Sequence, residues 1–143
     1  MITRLHKQDN GILDFDSSVP CLVGTFVGFM PDDEFKDFLN LALNYMIEKK
    51  KEYGTIAWLP DATEFTVNNS EEWAAKDWNP RALAAGIRHV AFVLSKDVFG
   101  QTQINHYLEL NESQTGNQMQ TAMFEDLESA KKWLIKVLHK ECS

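Results

Sequence analysis

The sequence has 143 residues, 44% of them hydrophobic and 24% charged, and a formal net charge of −7. This length suits one domain, residues 1–143, with a core of its own. The acidic balance excludes nonspecific nucleic-acid binding, which needs a basic surface to displace counterions, and argues against docking on anionic lipid headgroups.

Residues 2–6 and 11–16 read as two short strands. Between them Gln8-Asp9-Asn10-Gly11 is a turn signal, and Asn-Gly is a favoured hairpin pair. After a second turn at Ser17 to Pro20, Cys21 to Phe29 is a third strand. Its glycines, Gly24 and Gly28, mark a bulge or a close backbone approach. Pro31 then opens a helix whose first turn holds Asp32, Asp33 and Glu34, acids placed at the positive end of the dipole. Phe35, Phe38, Leu39, Ala42, Tyr45 and Met46 recur at helical spacing and form its apolar face. The helix is expected to end near Lys50, ahead of Gly54. The basic run Lys49 to Lys51 then falls at a helix terminus rather than on a binding surface.

Thr55 to Leu59 is a fourth strand, closed by Pro60 and Asp61. A helix follows from Asn69 or Ser70, and Asn69 with Glu72 has capping-box spacing. Asn79-Pro80 lies inside this helix. Proline removes a backbone donor and crowds the preceding turn, so a kink or break is expected near Asp77. The helix resumes through Ala82 to Ala85, and Gly86 is its natural stop. His89 to Ser95 holds five consecutive apolar residues, Val90 to Leu94, and reads as a strand covered on both faces. A weaker helix is expected over about 101–110, then a polar loop. Residues 118–124 form a sixth, edge-like strand. Asp126 caps a final helix whose buried face is Leu127, Ala130, Trp133, Leu134, Val137 and Leu138. Three strands followed by alternating helices and strands imply an α/β fold with an open mixed sheet of about six strands.

Candidate chemistry is sparse. Cys21 and Cys142 have no zinc-ligand spacing, the four histidines are scattered, and no nucleophile elbow, phosphate loop or dinucleotide fingerprint is present. No cofactor or metal is expected. The first residues lack the apolar core of a signal peptide, and no apolar run approaches a membrane span, so a cytoplasmic location is expected. Ligands of open α/β sheets bind beyond the carboxyl ends of parallel strands, where Asp61, Glu64, Ser95 and Asp97 are expected. Polar turn residues occupy such ends in any case. Trp58 and Trp133 fit core patterns. Trp73 and Trp78, five residues apart, cannot share the centre of one helical face, which leaves one of them for a groove or a partner. Arg81 is placed to grip an anion or, more simply, to pair with Asp77 at i,i+4.

Three segments together resemble a known family. They are Glu72-Trp73 with Asp77-Trp78-Asn79-Pro80-Arg81-Ala82; Ala85 through Val93; and Phe124-Glu125-Asp126 with Ala130-Lys131-Lys132-Trp133-Leu134. In this order and spacing the chain, from the third strand to the last helix, resembles the small bacterial STAS/SpoIIAA-like proteins, related in fold to anti-sigma-factor antagonists. The resemblance implies a mixed sheet with helices packed on it and a module that acts by binding rather than by catalysis. The classical antagonists switch by phosphorylation in an Asp-Ser-Ser/Thr-Gly type motif. Here Asn68-Asn69-Ser70-Glu71 stands in its place, so the switch does not carry over and Ser70 reads as a helix cap. Lipid-binding relatives by fold add a small apolar ligand, held between helices and sheet, to a protein partner as the expected target.

The reading is therefore a non-enzymatic binding or regulatory module, with Trp58, Asp61, Phe65, Ser70, Trp73, Trp78 and Arg81 as the binding candidates. A small enzyme using Asp61 is one alternative. A homodimer joined through the N-terminal strands or the Trp73/Trp78 helix is another.

Overall fold

In a computed structural model the chain is described over residues 2–66, 71–94 and 119–142. Six strands form one sheet in the order β1-β2-β3-β4-β5-β6. The first three, β1 (Ile2–Gln8), β2 (Gly11–Asp16) and β3 (Cys21–Phe29), make the expected antiparallel meander. β4 (Ala57–Thr66), β5 (His89–Leu94) and β6 (Gln120–Phe124) then run parallel to β3 and to one another. The sheet is thus mixed, as the element order implied.

Gly11 pairs with Gln8 across the hairpin turn. Its lack of a side chain matters for packing as well as for the turn. A Cβ there would stand 2.7 Å from Cε1 of Phe38, on the first helix. That helix, α1 (Asp32–Tyr53), carries its acids in the first turn and Lys50 and Lys51 in the last. It buries Phe38, Leu39, Ala42, Leu43 and Met46. Phe35 and Tyr45 are only half-buried, at the margins of the stripe. Gly54 ends α1 in the left-handed conformation (φ 84°), and its N–H donates to the Lys50 carbonyl at 2.8 Å. A side chain would strain that conformation.

The fourth strand departs from expectation. It does not close at Pro60 and Asp61 but continues to Thr66. Two local devices carry it past the proline. The β4–β5 ladder steps from Trp58↔Val90 to Asp61↔Val93, and the gap spans Leu59 and Pro60, where proline has no N–H to donate. On the other side the β3 partner advances from Thr25 to Val27 while β4 advances from Asp61 to Glu64, which is a β-bulge. Asp61 and Glu64 are therefore bulge residues inside a strand, not strand-end residues.

The second crossover is a short α2 (Glu71–Trp73), a π-helical turn (Ala74–Trp78) and α3 (Asn79–Ala84). The kink expected near Asp77 takes the form of this π turn. Pro80 cannot donate the usual backbone bond, and the Asn79 N–H reaches back five residues to the Ala74 carbonyl. The helix ends in a Schellman motif: Ile87 N–H donates to Ala82 O at 3.0 Å and Gly86 N–H to Leu83 O at 2.9 Å, with Gly86 at φ 94°.

The sheet separates two apolar layers. On one face Leu13, Phe15, Leu22, Phe26, Trp58, Val90 and Phe92 pack with α1 and with Ala74, Ala75, Trp78 and Ala82 of the kinked helix. On the other, Cys21, Val23, Ala57, Leu59, Ala91 and Val93 meet Ala130, Leu134 and Leu138 of the last helix, α4 (Leu127–Cys142). β5 sends Val90 and Phe92 to the first layer and Ala91 and Val93 to the second, so it is covered on both faces. Asp126 caps α4, accepting the Ser129 N–H at 2.7 Å. Leu127, expected on the buried face, is exposed instead; the buried contacts of α4 begin at Ala130. The helix expected over about 101–110 lies outside the described residues.

Candidate functional site

Trp58 and Trp78 are core residues, 3% and 1% exposed. Their rings meet at 5.9 Å with an interplanar angle of 50°, one of the tilted arrangements aromatic pairs prefer. The Trp78 Nε1–H donates to the Leu39 carbonyl at 2.8 Å, which satisfies the buried indole. Trp58 lies against the backbone of Gly24, where a Cβ would collide with its Cη2. Gly24 thus marks the close approach anticipated for it. The two indoles fill the space between α1, the kinked helix and the sheet, so neither presents a surface to a partner. Phe65 is placed by its backbone alone, opposite Gly28 of β3. Ser70, Ser95 and Asp97 lie outside the described residues.

Trp73 is different. It is half-buried, packed on the margin of the first layer. The π turn explains how two tryptophans five apart both point inward. Bonds of the i→i+5 kind widen the turn and bring such residues closer to one line. Trp78 takes the centre and Trp73 the rim. Lys36 Nζ lies 5.7 Å from the Trp73 ring centroid and the Arg81 guanidinium carbon 6.0 Å from it. Both are at cation–π distance.

Each cation also has a partner. Arg81 donates through Nη2 to Asp77 Oδ2 at 2.9 Å and to Asn40 Oδ1 at 2.8 Å. The i,i+4 pairing expected for Arg81 is therefore present, and a second bond ties the kinked helix to α1. Lys36 pairs with Asp32 at 3.0 Å, and Lys76 with Glu72 at 2.6 Å. These pairs are exposed and contribute little to stability, about 0–1 kcal/mol each. The Asp32 and Asp77 pairs hold Lys36 and Arg81 beside the Trp73 ring. Lys36 and Asn40 were not among the residues singled out from the sequence. Their i,i+4 relation to each other is legible, but their meeting with Trp73 and Arg81 is a tertiary contact that no local pattern announces.

Asp61 stands apart from this cluster. Its Oδ1 accepts the Thr63 N–H at 3.1 Å and the Thr63 hydroxyl at 2.8 Å. It braces the bulge, a structural task. His89 is buried at the start of β5, its ring meeting Trp133 edge-on at 6.3 Å. Among the described residues, no group of three or more His, Cys, Asp or Glu could hold a metal ion. No helix among them is long and apolar enough to cross a membrane.

Charge is also buried on the opposite face. The Asp16 carboxylate accepts from Lys131 Nζ at 2.8 Å, and from the Ser18 N–H and hydroxyl at 3.0 and 2.6 Å. Burial acts to raise its pKa, but the Lys131 ammonium and the Ser18 donors outweigh burial and hold the carboxyl below its ordinary range. Beside it, burial and then the Asp16 charge push the Cys21 thiol up to about 12.

No protein-family model matches the sequence, and no curated protein matches it. Among solved structures, the chain is similar to one from Shewanella loihica PV-4, described as an uncharacterised protein from the DUF3478 family with a SpoIIAA-like fold. The two share 19% identity over 94% of this chain and 92% of the other, with a TM-score of 0.48. The topology given above rests on the strand order itself.

Proposed function

We propose that this domain is a non-enzymatic binding module and that it acts through a protein partner. The observation that carries the reading is the Trp73 cluster. A half-buried tryptophan at the α1/α2 rim is bracketed by Lys36 and Arg81, and Asn40 and Asp77 hold the Arg81 guanidinium. Tryptophan and arginine are the residues most enriched at the energetic centres of protein interfaces. Here the arginine is already ordered by two side-chain bonds, which lowers the entropy lost when a partner immobilises it. A protein partner is favoured over a small apolar ligand because Trp58 and Trp78, which would have lined the ligand site, pack against each other.

Site-specific photocrosslinking in the source cell tests the reading. A photoreactive residue replaces exposed Lys76, beside the cluster, or exposed Lys132, on α4 across the sheet. A discrete crosslinked protein from position 76 and none from position 132 is the expected result. Equal crosslinking from both positions, or none from position 76, overturns it.

A further inference from the structure

The two apolar layers are unequal. The α1 layer is built from large aromatic and aliphatic side chains and is tied by the Trp78–Leu39 bond. The α4 layer is smaller and its seam is shallow at the centre, where Ala57 and Ala91 of the sheet cluster with Ala130 of the helix; Leu134 and Leu138 flank them, and the half-buried Trp133, Val137 and Phe124 close the margin. Shallow seams bury less apolar area and have fewer interlocking knobs to hold a helix in place. Trp133 of α4 meets His89 of β5 at 6.3 Å and Phe124 of β6 at 5.8 Å, and on the β2 side the helix is tied by the ion pair from Lys131 to Asp16, a residue only 5% exposed. A buried ion pair adds little net stability over an apolar contact, yet removing one partner strands the other charge. Such a pair fixes position more than it adds strength. The helix itself carries its own cap at Asp126 and an i,i+4 pair between Glu128 and Lys132, local support that does not depend on the sheet.

We propose that α4 is a separately releasable cover, latched by Asp16 and Lys131, which lifts from the sheet while the α1 layer stays folded. Its release bares the apolar face formed by Val23, Ala57, Leu59, Ala91 and Val93. Cys21 is the built-in reporter, because it lies fully buried in that same layer and its thiol is held protonated there. Sub-global opening of this kind differs from global unfolding in its free energy and in the surface it exposes. The inference is independent of the Trp73 surface.

The test is thiol labelling of the full wild-type chain over a range of urea concentrations, with modification of Cys21 read by peptide mass spectrometry. Hydrogen exchange of α1 and α4 is followed in parallel. Cys21 is expected to label in native buffer at least about tenfold faster than the global unfolding equilibrium allows, with a urea dependence well below that of global unfolding. The α4 amides are expected to exchange ahead of those in α1. Lys131→Met is expected to speed Cys21 labelling further and leave α1 exchange unchanged. Labelling that follows global unfolding in rate and urea dependence, or α1 and α4 amides that exchange together, overturns the proposal using wild-type protein alone.

Discussion

The indole N–H of Trp78 donates to the backbone carbonyl of Leu39 at 2.8 Å, joining the kinked helix to the interior of α1. That carbonyl already faces an N–H one turn further along its own helix, so the indole is a second donor to one acceptor. Trp78→Phe removes the second donor and leaves a small void beside Trp58. A loss of about 1–3 kcal/mol is expected, and about 3–5 kcal/mol for Trp78→Ala. Urea denaturation followed by circular dichroism measures both.

Gly24 and Trp58 occupy neighbouring strands, and a methyl group at Gly24 would meet the ring. Gly24→Ala is expected to destabilise the fold by about 1–3 kcal/mol through overpacking. Trp58→Phe shortens the ring and should relieve part of this. The double variant should therefore lose less than the sum of the two single losses. Strict additivity in thermal melts would show that the two groups do not meet.

Gly86 holds the positive φ that ends α3, and a Cβ there meets only the flexible end of Lys50. Backbone strain rather than collision dominates, and Gly86→Ala is expected to cost about 1–2 kcal/mol. Truncating Lys50 in the same chain should recover little of it. A large recovery would assign the cost to sterics instead.

Much of this fold was legible in the sequence. The Asn10-Gly11 turn, the apolar stripe of α1 and the five apolar residues of β5 each agree with one secondary-structure period. Where local signals conflicted, tertiary packing decided. Pro60 marks a strand end by local rules, but the β3 and β5 ladders on either side carry β4 past it, with the bulge at Asp61 absorbing the mismatch. Asn79-Pro80 announces a kink, and the burial of Trp78 and Ala82 turns that kink into a π turn rather than a break. The candidate site was half legible. Trp73 and Arg81 stand out by type and spacing, whereas Lys36 and Asn40 join them only because α1 packs alongside.

Asp16 sets a pH dependence. Its carboxyl has a lower pKa folded than unfolded, so its contribution is fully present above the ordinary carboxylate value of 3.8 and is lost as pH falls through the lower, folded value. Stability should drop on this acid limb and stay flat above it. Asp16→Asn should be less stable at neutral pH and show a shallower acid limb. Asp126, also lowered, by the Ser129 N–H first, is fully exposed and adds little to that limb. An unchanged acid limb in Asp16→Asn would remove the Lys131 pair from the explanation.

The rim around Trp73 is proposed to bind a protein. The most direct measurement of this binding is quantitative affinity capture from the source cell, with wild-type, Trp73→Ala and Arg81→Ala baits compared side by side after each is shown to be folded. One protein enriched by the wild-type bait, and at least about tenfold weaker in direct binding to each variant, is the predicted result. A partner retained in full by both folded variants would contradict the claim.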